Sequence, residues 1–266
     1  MHAAVLGSPI SHSLSPILHR AAYAELGLQY DYRAIHITTE TFTQFMETID
    51  SSWIGLSLTM PLKEVAFEVA NEVSAVAVLA RAINTLIIGD VIQGDNTDVL
   101  GIVHAVREMT SLDLNRAVIF GSGATARSSI VAASQLGVTD IQAVARNHTA
   151  LSECRTIAHK LGMNFEDVSI ADATFDTHTL TINTTPGGVA DAIADAVIDP
   201  LGPVLDVVYH PWPSALAKRW QLAECIAIPG YLMLLHQAAK QVELMTGQEA
   251  PLHAMRSALM EALANR

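Results

Sequence analysis

Aromatic side chains are scarce in this chain of 266 residues, at 5%, although 50% of its residues are hydrophobic. The core must therefore be built mainly from Ala, Val, Ile and Leu, a composition that suits helices packed on a buried parallel sheet. Charged residues are also few, at 16%. This combination lies outside the range of intrinsically disordered proteins.

Positive charge is in short supply. The chain has 15 Lys and Arg against 27 Asp and Glu, for a formal net charge of -12. A field of that sign repels phosphate backbones and anionic lipid headgroups, so we expect neither nucleic acid nor a membrane as a partner. An anionic small molecule would have to be held by local cations or by backbone N–H groups.

Cysteine is almost absent, since Cys154 and Cys225 are the only two. Two thiols exclude a disulfide framework and a cysteine-based zinc site, and they favour a reducing compartment. The first ten residues have neither the charged part nor the long apolar part of a signal peptide. No run reaches the ~20 apolar residues of a spanning helix. These observations predict a soluble, cytoplasmic protein without a cysteine-based zinc site.

Strand-like runs alternate with helical stretches along the whole chain, which is typical of α/β proteins. Ser15 and Pro16 are interpreted as the N-cap and first residue of a helix that ends before Gly27. The predicted strands are residues 2–6, 30–37, 53–58, 83–88, 91–94, 117–120, one that ends at 143–145, 179–182, 204–207 and 225–228. Two of them, 83–88 and 91–94, form a predicted hairpin.

A glycine-rich turn follows the strand at 117–120 and opens an Ala-rich helix. Its residues fit the pattern GxGxxA and are Gly121, Ser122, Gly123, Ala124, Thr125 and Ala126. Gly121 permits the tight turn, Gly123 leaves room for a pyrophosphate, and Ala126 allows close packing of helix on strand. The pattern predicts a dinucleotide site, and the alternative is a glycine turn without a ligand.

The end of the next strand bears on the choice of dinucleotide. Proteins that bind NAD usually place Asp or Glu there for the ribose 2′-hydroxyl. This chain has Arg146 and Asn147 instead, and the next carboxylate along the sequence is Glu153. A guanidinium can bind two oxygens of a 2′-phosphate at once, so we predict NADP. An exposed arginine with no ligand is the alternative.

Polar residues cluster at three strand-to-loop junctions of the first half, and each has an ordinary explanation as a helix cap, turn residue or solvated lysine. They are Ser13 and Ser15, Thr59 and Lys63, and Asn84 and Asp98. Two serines two positions apart in an extended loop can direct both hydroxyls at one small anion.

The strings that contain these residues resemble a known family. GSPISHSLSPILH, GLSLTMPLK, AINT and GDNTDVLG resemble, in order, signatures of the shikimate dehydrogenase family. So do GSGATA, LDVVYHPWPSAL and GYLMLLHQA, so that the resemblance covers nearly the whole chain.

The resemblance implies NADPH-dependent, reversible reduction of 3-dehydroshikimate to shikimate, within chorismate and aromatic amino acid biosynthesis. Lys63 and Asp98 would be the catalytic pair, with their acid–base roles not apportioned, and no metal would be needed because the hydride carrier is organic. Gly230 and Met233 would lie near the nicotinamide. The substrate would be bound by Ser13, Ser15, Thr59, Asn84, Tyr209 and Gln237.

The implied architecture has an N-terminal α/β substrate domain, residues 1–101, and a Rossmann-type, doubly wound NADP domain, residues 102–236. The C-terminal helices, residues 237–266, would return to the first domain. Monomer and homodimer both remain open.

The chain departs from the family pattern at three positions. Many members have Asn where this chain has Ser57 and Arg20, and a second arginine near Arg146. The single arginine leaves the selectivity for NADP over NAD open. The alternatives are a quinate/shikimate dehydrogenase that uses NAD, and a catalytically idle NADP-binding sensor. Retention of Lys63, Asn84 and Asp98 together argues against the sensor.

Overall fold

The computed structural model describes residues 1–265, which divide into two compact units. The first contains Met1–Asp98 and the described residues from Leu234 onward, and the second is Val99–Met233. No helix in the described part of the chain is long and apolar enough to cross a membrane.

The first unit is built on a six-stranded sheet. Its elements are β1 (His2–Gly7), α1 (Ser15–Glu25), β2 (Asp31–His36), α2 (Thr39–Met46), β3 (Trp53–Leu58), a 3-10 helix (Val65–Glu68), β4 (Glu72–Val73), α3 (Ala75–Ala80), β5 (Thr85–Ile87) and β6 (Gln93–Asp95). The strand order is β2-β1-β3-β5-β6-β4. β1 pairs in parallel with β2 and β3, whereas β5 and β6 form the predicted antiparallel hairpin.

The second unit contains a six-stranded, wholly parallel sheet. α4 (Asp98–Met109) leads into it. The following elements are β7 (Arg116–Phe120), α5 (Ala124–Gln135), β8 (Asp140–Val144), α6 (His148–Lys160), β9 (Asn164–Asp167), β10 (Thr179–Asn183), α7 (Val189–Ala196), β11 (Val204–Asp206), α8 (Ala215–Leu222) and β12 (Ala227–Pro229). The order β9-β8-β7-β10-β11-β12 is that of the doubly wound Rossmann fold, which confirms the predicted fold class.

The last two helices are α9 (Gly230–Thr246) and α10 (Leu252–Ala264). α10 packs against α1, so the C-terminus returns to the first unit as predicted. Apolar side chains bury the central strands. In β1, for example, every residue after His2 is buried, since neighbouring strands and helices cover it.

The interpretation of Ser15 as a helix cap is wrong. Leu14 is the N-cap, and Ser15 is the first residue of α1. The backbone N–H of Ser15 donates instead to the Ser13 hydroxyl, at 3.3 Å, so the helix start is supported from two residues upstream. The left-handed backbone of Gly27, with φ of 68°, lies just beyond the end of the helix.

Candidate active site

An ion pair between Lys63 and Asp98 is the central feature of the first unit. The Lys63 Nζ and Asp98 Oδ2 atoms are 2.6 Å apart, and the two side chains are only 11% and 7% exposed. Lys63 follows β3 in the chain, and Asp98 is the first residue of α4. A buried pair of charges costs desolvation energy, so it is weak support for stability and points towards chemistry.

Asn84 donates a hydrogen bond to the second carboxylate oxygen of Asp98. Its Nδ2 group donates to Asp98 Oδ1 at 2.8 Å, while its Oδ1 accepts from the backbone N–H of Thr97 at 2.8 Å. Both carboxylate oxygens of Asp98 therefore accept hydrogen bonds, one from an amide and one from an ammonium. Because an ammonium has three N–H donors, Lys63 can serve a substrate oxygen as well as Asp98.

Gln237 lies beside this group. Its Oε1 atom is 3.5 Å from both Asn84 Nδ2 and Thr97 Oγ1, at the outer limit for a hydrogen bond. Its own amide donates to the Leu234 carbonyl in the preceding turn of α9, at 3.0 Å. The structure thus brings together four of the residues predicted for catalysis and substrate binding: Lys63, Asp98, Asn84 and Gln237.

The serine loop, residues 8–15, follows β1, contains Ser13 and ends at Ser15, the first residue of α1. Thr59 lies in the loop that follows β3. These strands are parallel neighbours, so their carboxyl ends share one edge of the sheet. The backbone N–H of Ser8 donates to the Met60 carbonyl at 2.9 Å, which joins the two loops. Within residues 1–265, the serine loop lies outside the hydrogen-bonded group around Asp98. The serines predicted to bind the substrate carboxylate and the threonine predicted to contact a ring substituent therefore follow strands that end at the same edge of the sheet.

Arg20 is bound to β2 by its hydrogen bond. Its Nε group donates to the backbone carbonyl of Tyr32 in β2, at 2.7 Å. The residue that departs from the family pattern therefore supports the neighbouring strand.

The glycine turn of the second unit has the geometry that a dinucleotide site requires. Gly121 has a φ of +116°, and a Cβ there would collide with the Thr184 hydroxyl. Gly123 is the N-cap of α5, and a Cβ built on it meets no atom within 4 Å. Ala126 is fully buried against the sheet. The free N–H groups at the start of α5, which include those of Ala124 and Thr125, provide a partial positive charge.

A groove of about 680 Å³ borders this turn. Four predicted cofactor residues, Gly121, Ser122, Arg146 and Asn147, lie along it. Arg146 is exposed, whereas the Asn147 side chain accepts a hydrogen bond from the Ala150 N–H and caps α6. Asp167, at the end of β9, also lines the groove. Sequence reasoning missed it because the strand that ends there was not predicted.

Tyr209, Gly230 and Met233 belong to the second unit. Tyr209 lies in the loop between β11 and α8, and Met233 is buried. A Cβ at Gly230 would come within 2.5 Å of the Val207 backbone, so only glycine permits this contact with the loop. Asp206, the buried last residue of β11, accepts hydrogen bonds from Asn183 and Ser214. Its burial raises the pKa of its carboxyl, and the hydrogen bonds oppose that rise.

Comparisons with known proteins agree with this geometry. A family model described as the shikimate dehydrogenase substrate binding domain matches residues 5–86, and one for the shikimate 5′-dehydrogenase C-terminal domain matches residues 230–260. The chain is 32% identical to a shikimate dehydrogenase (NADP(+)) of Prochlorococcus marinus, over 98% of this chain and 97% of the relative.

Solved structures give the same result. Shikimate dehydrogenase of Mycobacterium tuberculosis is similar with a TM-score of 0.88 and 36% identity, over 98% of this chain and 99% of that one. Shikimate 5-dehydrogenase of Thermus thermophilus, solved in complex with NADP(H) and shikimate, has a TM-score of 0.86 and 27% identity, with coverage of 99% and 100%.

Proposed function

Because the chain belongs to the shikimate dehydrogenase family, we propose that it reduces 3-dehydroshikimate reversibly to shikimate with NADPH. This reaction serves chorismate and aromatic amino acid biosynthesis. The observation that carries the proposal is the buried Lys63–Asp98 pair, with its 2.6 Å contact. That contact supports a site in which a proton donor and a carboxylate would meet a ring ketone and its neighbouring hydroxyl.

NADPH, when bound, supplies the hydride that adds to the carbonyl carbon of the ring. Negative charge then develops on the carbonyl oxygen. The Lys63 ammonium stabilises that charge and gives the oxygen a proton, so that an alcohol results. Asp98 holds the ammonium in position and accepts from Asn84 at its other oxygen.

The serine loop would fix the substrate by its carboxylate, through the hydroxyls of Ser13 and Ser15. Asn84 and Gln237 would bind ring hydroxyls, Thr59 would contact the ring substituents, and Tyr209 would be a further substrate-binding residue. Ser15 and Asn84 are almost fully buried, which supports roles at fixed positions. Such fixed positions keep the ketone close to the lysine.

The nucleotide would bind along the groove of the second unit. The N-terminus of α5 suits its diphosphate, since Gly123 leaves the backbone open there. Arg146 would bind the 2′-phosphate, with Asn147 beside it, which favours NADP over NAD. Gly230 and Met233 would lie near the nicotinamide.

We propose that residues 1–101 with 237–266 form the substrate domain and residues 102–236 the NADP domain. The two cysteines, Cys154 and Cys225, are free thiols, which supports a location in the cytoplasm. The assembly would be a monomer or a homodimer.

The deciding experiment measures oxidation of shikimate and of quinate, each with NADP and with NAD. We expect the highest catalytic efficiency for shikimate with NADP. Preference for quinate with NAD would instead identify a quinate/shikimate dehydrogenase. Binding of NADP without turnover in any combination would identify a catalytically idle sensor.

A further inference from the structure

A chain of buried polar side chains lies behind Asn84, and nothing in the proposed reaction uses it. We propose that Gln241, acting through Thr85, is a positioning residue that fixes the orientation of the Asn84 amide and so holds Asp98 beside Lys63. The inference rests on the proposed function for its kinetic consequences. Its structural content rests on the hydrogen bonds of the first unit alone.

Gln241 is 1% exposed and makes four hydrogen bonds, which fix its own orientation. Its Nε2 group donates to the backbone carbonyl of Asn84 at 3.2 Å and to the Thr85 hydroxyl at 3.0 Å. Its Oε1 accepts from Ser57 Oγ at 2.7 Å and from His19 Nε2 at 3.2 Å. Since a carbonyl can only accept, the Asn84 carbonyl determines which end of the Gln241 amide is the nitrogen.

The direction of the next bond follows from this one. The Thr85 oxygen accepts from Gln241, so its own proton is free to be donated to Asn84 Oδ1, 2.8 Å away. Asn84 Oδ1 therefore has donors from Thr85 and from the Thr97 backbone. The Nδ2 group is left to face Asp98 Oδ1. A flipped amide would place its oxygen against the carboxylate, which costs free energy in a buried site.

The hydrogen bonds that reach Gln241 from His19 and Ser57 have the same direction. Burial lowers the pKa of the His19 imidazole from its ordinary 6.5 to about 3, with the hydrogen bond to Gln241 opposing the shift. The neutral ring donates from Nε2 to Gln241, so its Nδ1 accepts from the Tyr23 hydroxyl at 3.3 Å. Burial also raises the pKa of Tyr32, which remains a donor to Ser57 at 2.6 Å.

The side-chain hydrogen bonds from Tyr23 and Tyr32 to Asn84 therefore all run in the direction of Asp98. Hydrogen bonds aligned in one direction strengthen one another. Ser57, the residue that replaces the asparagine of many family members, is part of it. Its hydroxyl is bonded to Gln241 on α9, a partner 184 positions away in sequence. Gln241 itself is buried away from solvent, so it acts through Asn84 and not on the substrate.

The test removes single hydroxyls without changing side-chain shape. In Thr85→Val the donor to Asn84 is lost, and we expect catalytic efficiency to fall roughly tenfold to a hundredfold, as for other small misplacements of reacting groups. The KM for shikimate should rise, because Asn84 is a substrate-binding residue, while the KM for NADP stays constant. Thr85→Ser keeps the hydroxyl and should restore most of the activity.

Thr181→Val is the matched control. Thr181 lies on β10 of the second unit, fully buried, and its hydroxyl has no hydrogen-bond partner in the described structure. The same substitution there should leave both KM values and kcat at wild-type levels. An equal loss in Thr85→Val and Thr181→Val, or in Thr85→Val and Thr85→Ser, would overturn the positioning role.

If Thr85→Val does not fold, the same kinetic measurements are made on Gln241→Met, for which the same loss of catalytic efficiency is expected. Where both fold, the double variant should be no worse than the poorer single variant, because the two residues act in series. Fully multiplicative losses would show that Gln241 does not act through Thr85.

A spectroscopic measurement separates this inference from the proposed function. The side-chain amide signal of Asn84, assigned by its loss in Asn84→Asp, should shift in Thr85→Val and Gln241→Met and stay in place in Thr181→Val. An unchanged signal in the first two variants would contradict the inference. If the wild-type chain did not oxidise shikimate, the proposed function would fail, while this signal would still decide the positioning role.

Discussion

The two sheets carry polar sites of different construction. In the first unit the groups around Asp98 are side chains from separate stretches of sequence, since Lys63 lies 35 residues away and Gln237 follows the whole second unit. In the second unit a single turn, Gly121 to Ala126, supplies backbone N–H groups and empty space. One site depends on which side chains are present, and the other on which are missing.

This difference determines how each site responds to substitution. A side-chain site loses function when one group is removed, often with little change in fold. A backbone site loses function when a side-chain atom is added to a glycine. At some of these glycines the added atom also destabilises the fold. The following substitutions test that contrast, beginning with the largest expected effect.

Removal of the Lys63 ammonium should have the largest effect. We expect Lys63→Ala to lower kcat by ~10²–10⁴-fold, the usual contribution of an acid–base group, with a smaller change in substrate affinity. Steady-state kinetics with shikimate and NADP would measure it. Lys240→Ala, which breaks only a partly exposed pair with Glu243, is the control. Near-normal turnover in Lys63→Ala would refute the assigned role.

Loss of the Ser13 hydroxyl should weaken binding of the substrate carboxylate. A hydrogen bond to a charged group contributes about 1.5–3 kcal/mol, so the KM for shikimate should rise roughly tenfold to a hundredfold with kcat little changed. Ser11→Ala, at an exposed position of the same loop, should leave KM unaltered. Equal KM values for the two variants would argue against carboxylate binding by Ser13.

Addition of one methyl group tests the backbone site. Gly123→Ala should retain its melting temperature, because its φ of -84° suits alanine and nothing lies near the new Cβ. It should nevertheless weaken NADP binding about tenfold or more, since the methyl occupies the space of the pyrophosphate. Gly121→Ala should instead destabilise the fold by about 1–3 kcal/mol, because its positive φ and Thr184 oppose a side chain.

Calorimetric titration and thermal unfolding of the two variants separate these effects. Should Gly123→Ala bind NADP as tightly as the wild type, the glycine turn would not be the nucleotide site.

The last expected effect is on stability at low pH, and it arises from His19. The folded-state pKa of about 3 lies below the ordinary 6.5, so the unfolded chain binds the additional proton between these values. The contribution of the neutral His19 ring to the free energy of unfolding is complete above pH 6.5 and is lost as pH falls towards 3. The free energy of unfolding then changes by up to about 1.4 kcal/mol per pH unit.

Denaturant unfolding of His19→Gln across this pH range should show a shallower decline than the wild type. His253→Gln, at an exposed position, is the matched control and should follow the wild-type slope. An identical slope for His19→Gln and wild type would mean that the ring is not held neutral in the folded chain.

Local patterns were enough to predict the elements of the second unit around the glycine turn. The strand, turn and helix are adjacent in sequence, and the buried aliphatic run of β7 is distinctive. Two short strands were not predicted. β4 has only two residues, and β9, with the sequence NFED, has a single buried residue, so neither shows a hydrophobic pattern.

The arrangement behind Asn84 was beyond sequence reasoning for a different reason. Gln241 contacts His19 across 222 positions and Thr85 across 156, and no string around it suggests a role. Its importance arises only when α9 is laid on the sheet. The lysine and aspartate, by contrast, were found through strings that resemble a known family.

Two contacts between α9 and the sheet of the first unit have a mechanical consequence. At Gly55 in β3 a Cβ would come within 2.6 Å of Met245, so the missing side chain sets how closely the helix approaches. The four bonds of Gln241 set its rotation about its own axis. A slip of one residue would turn the helix by roughly 100° and break all four. A helix held only by apolar contacts can shift along a sheet to accommodate a larger side chain nearby. Because α9 is fixed by these hydrogen bonds, we expect it to transmit such a change to the strands of the sheet.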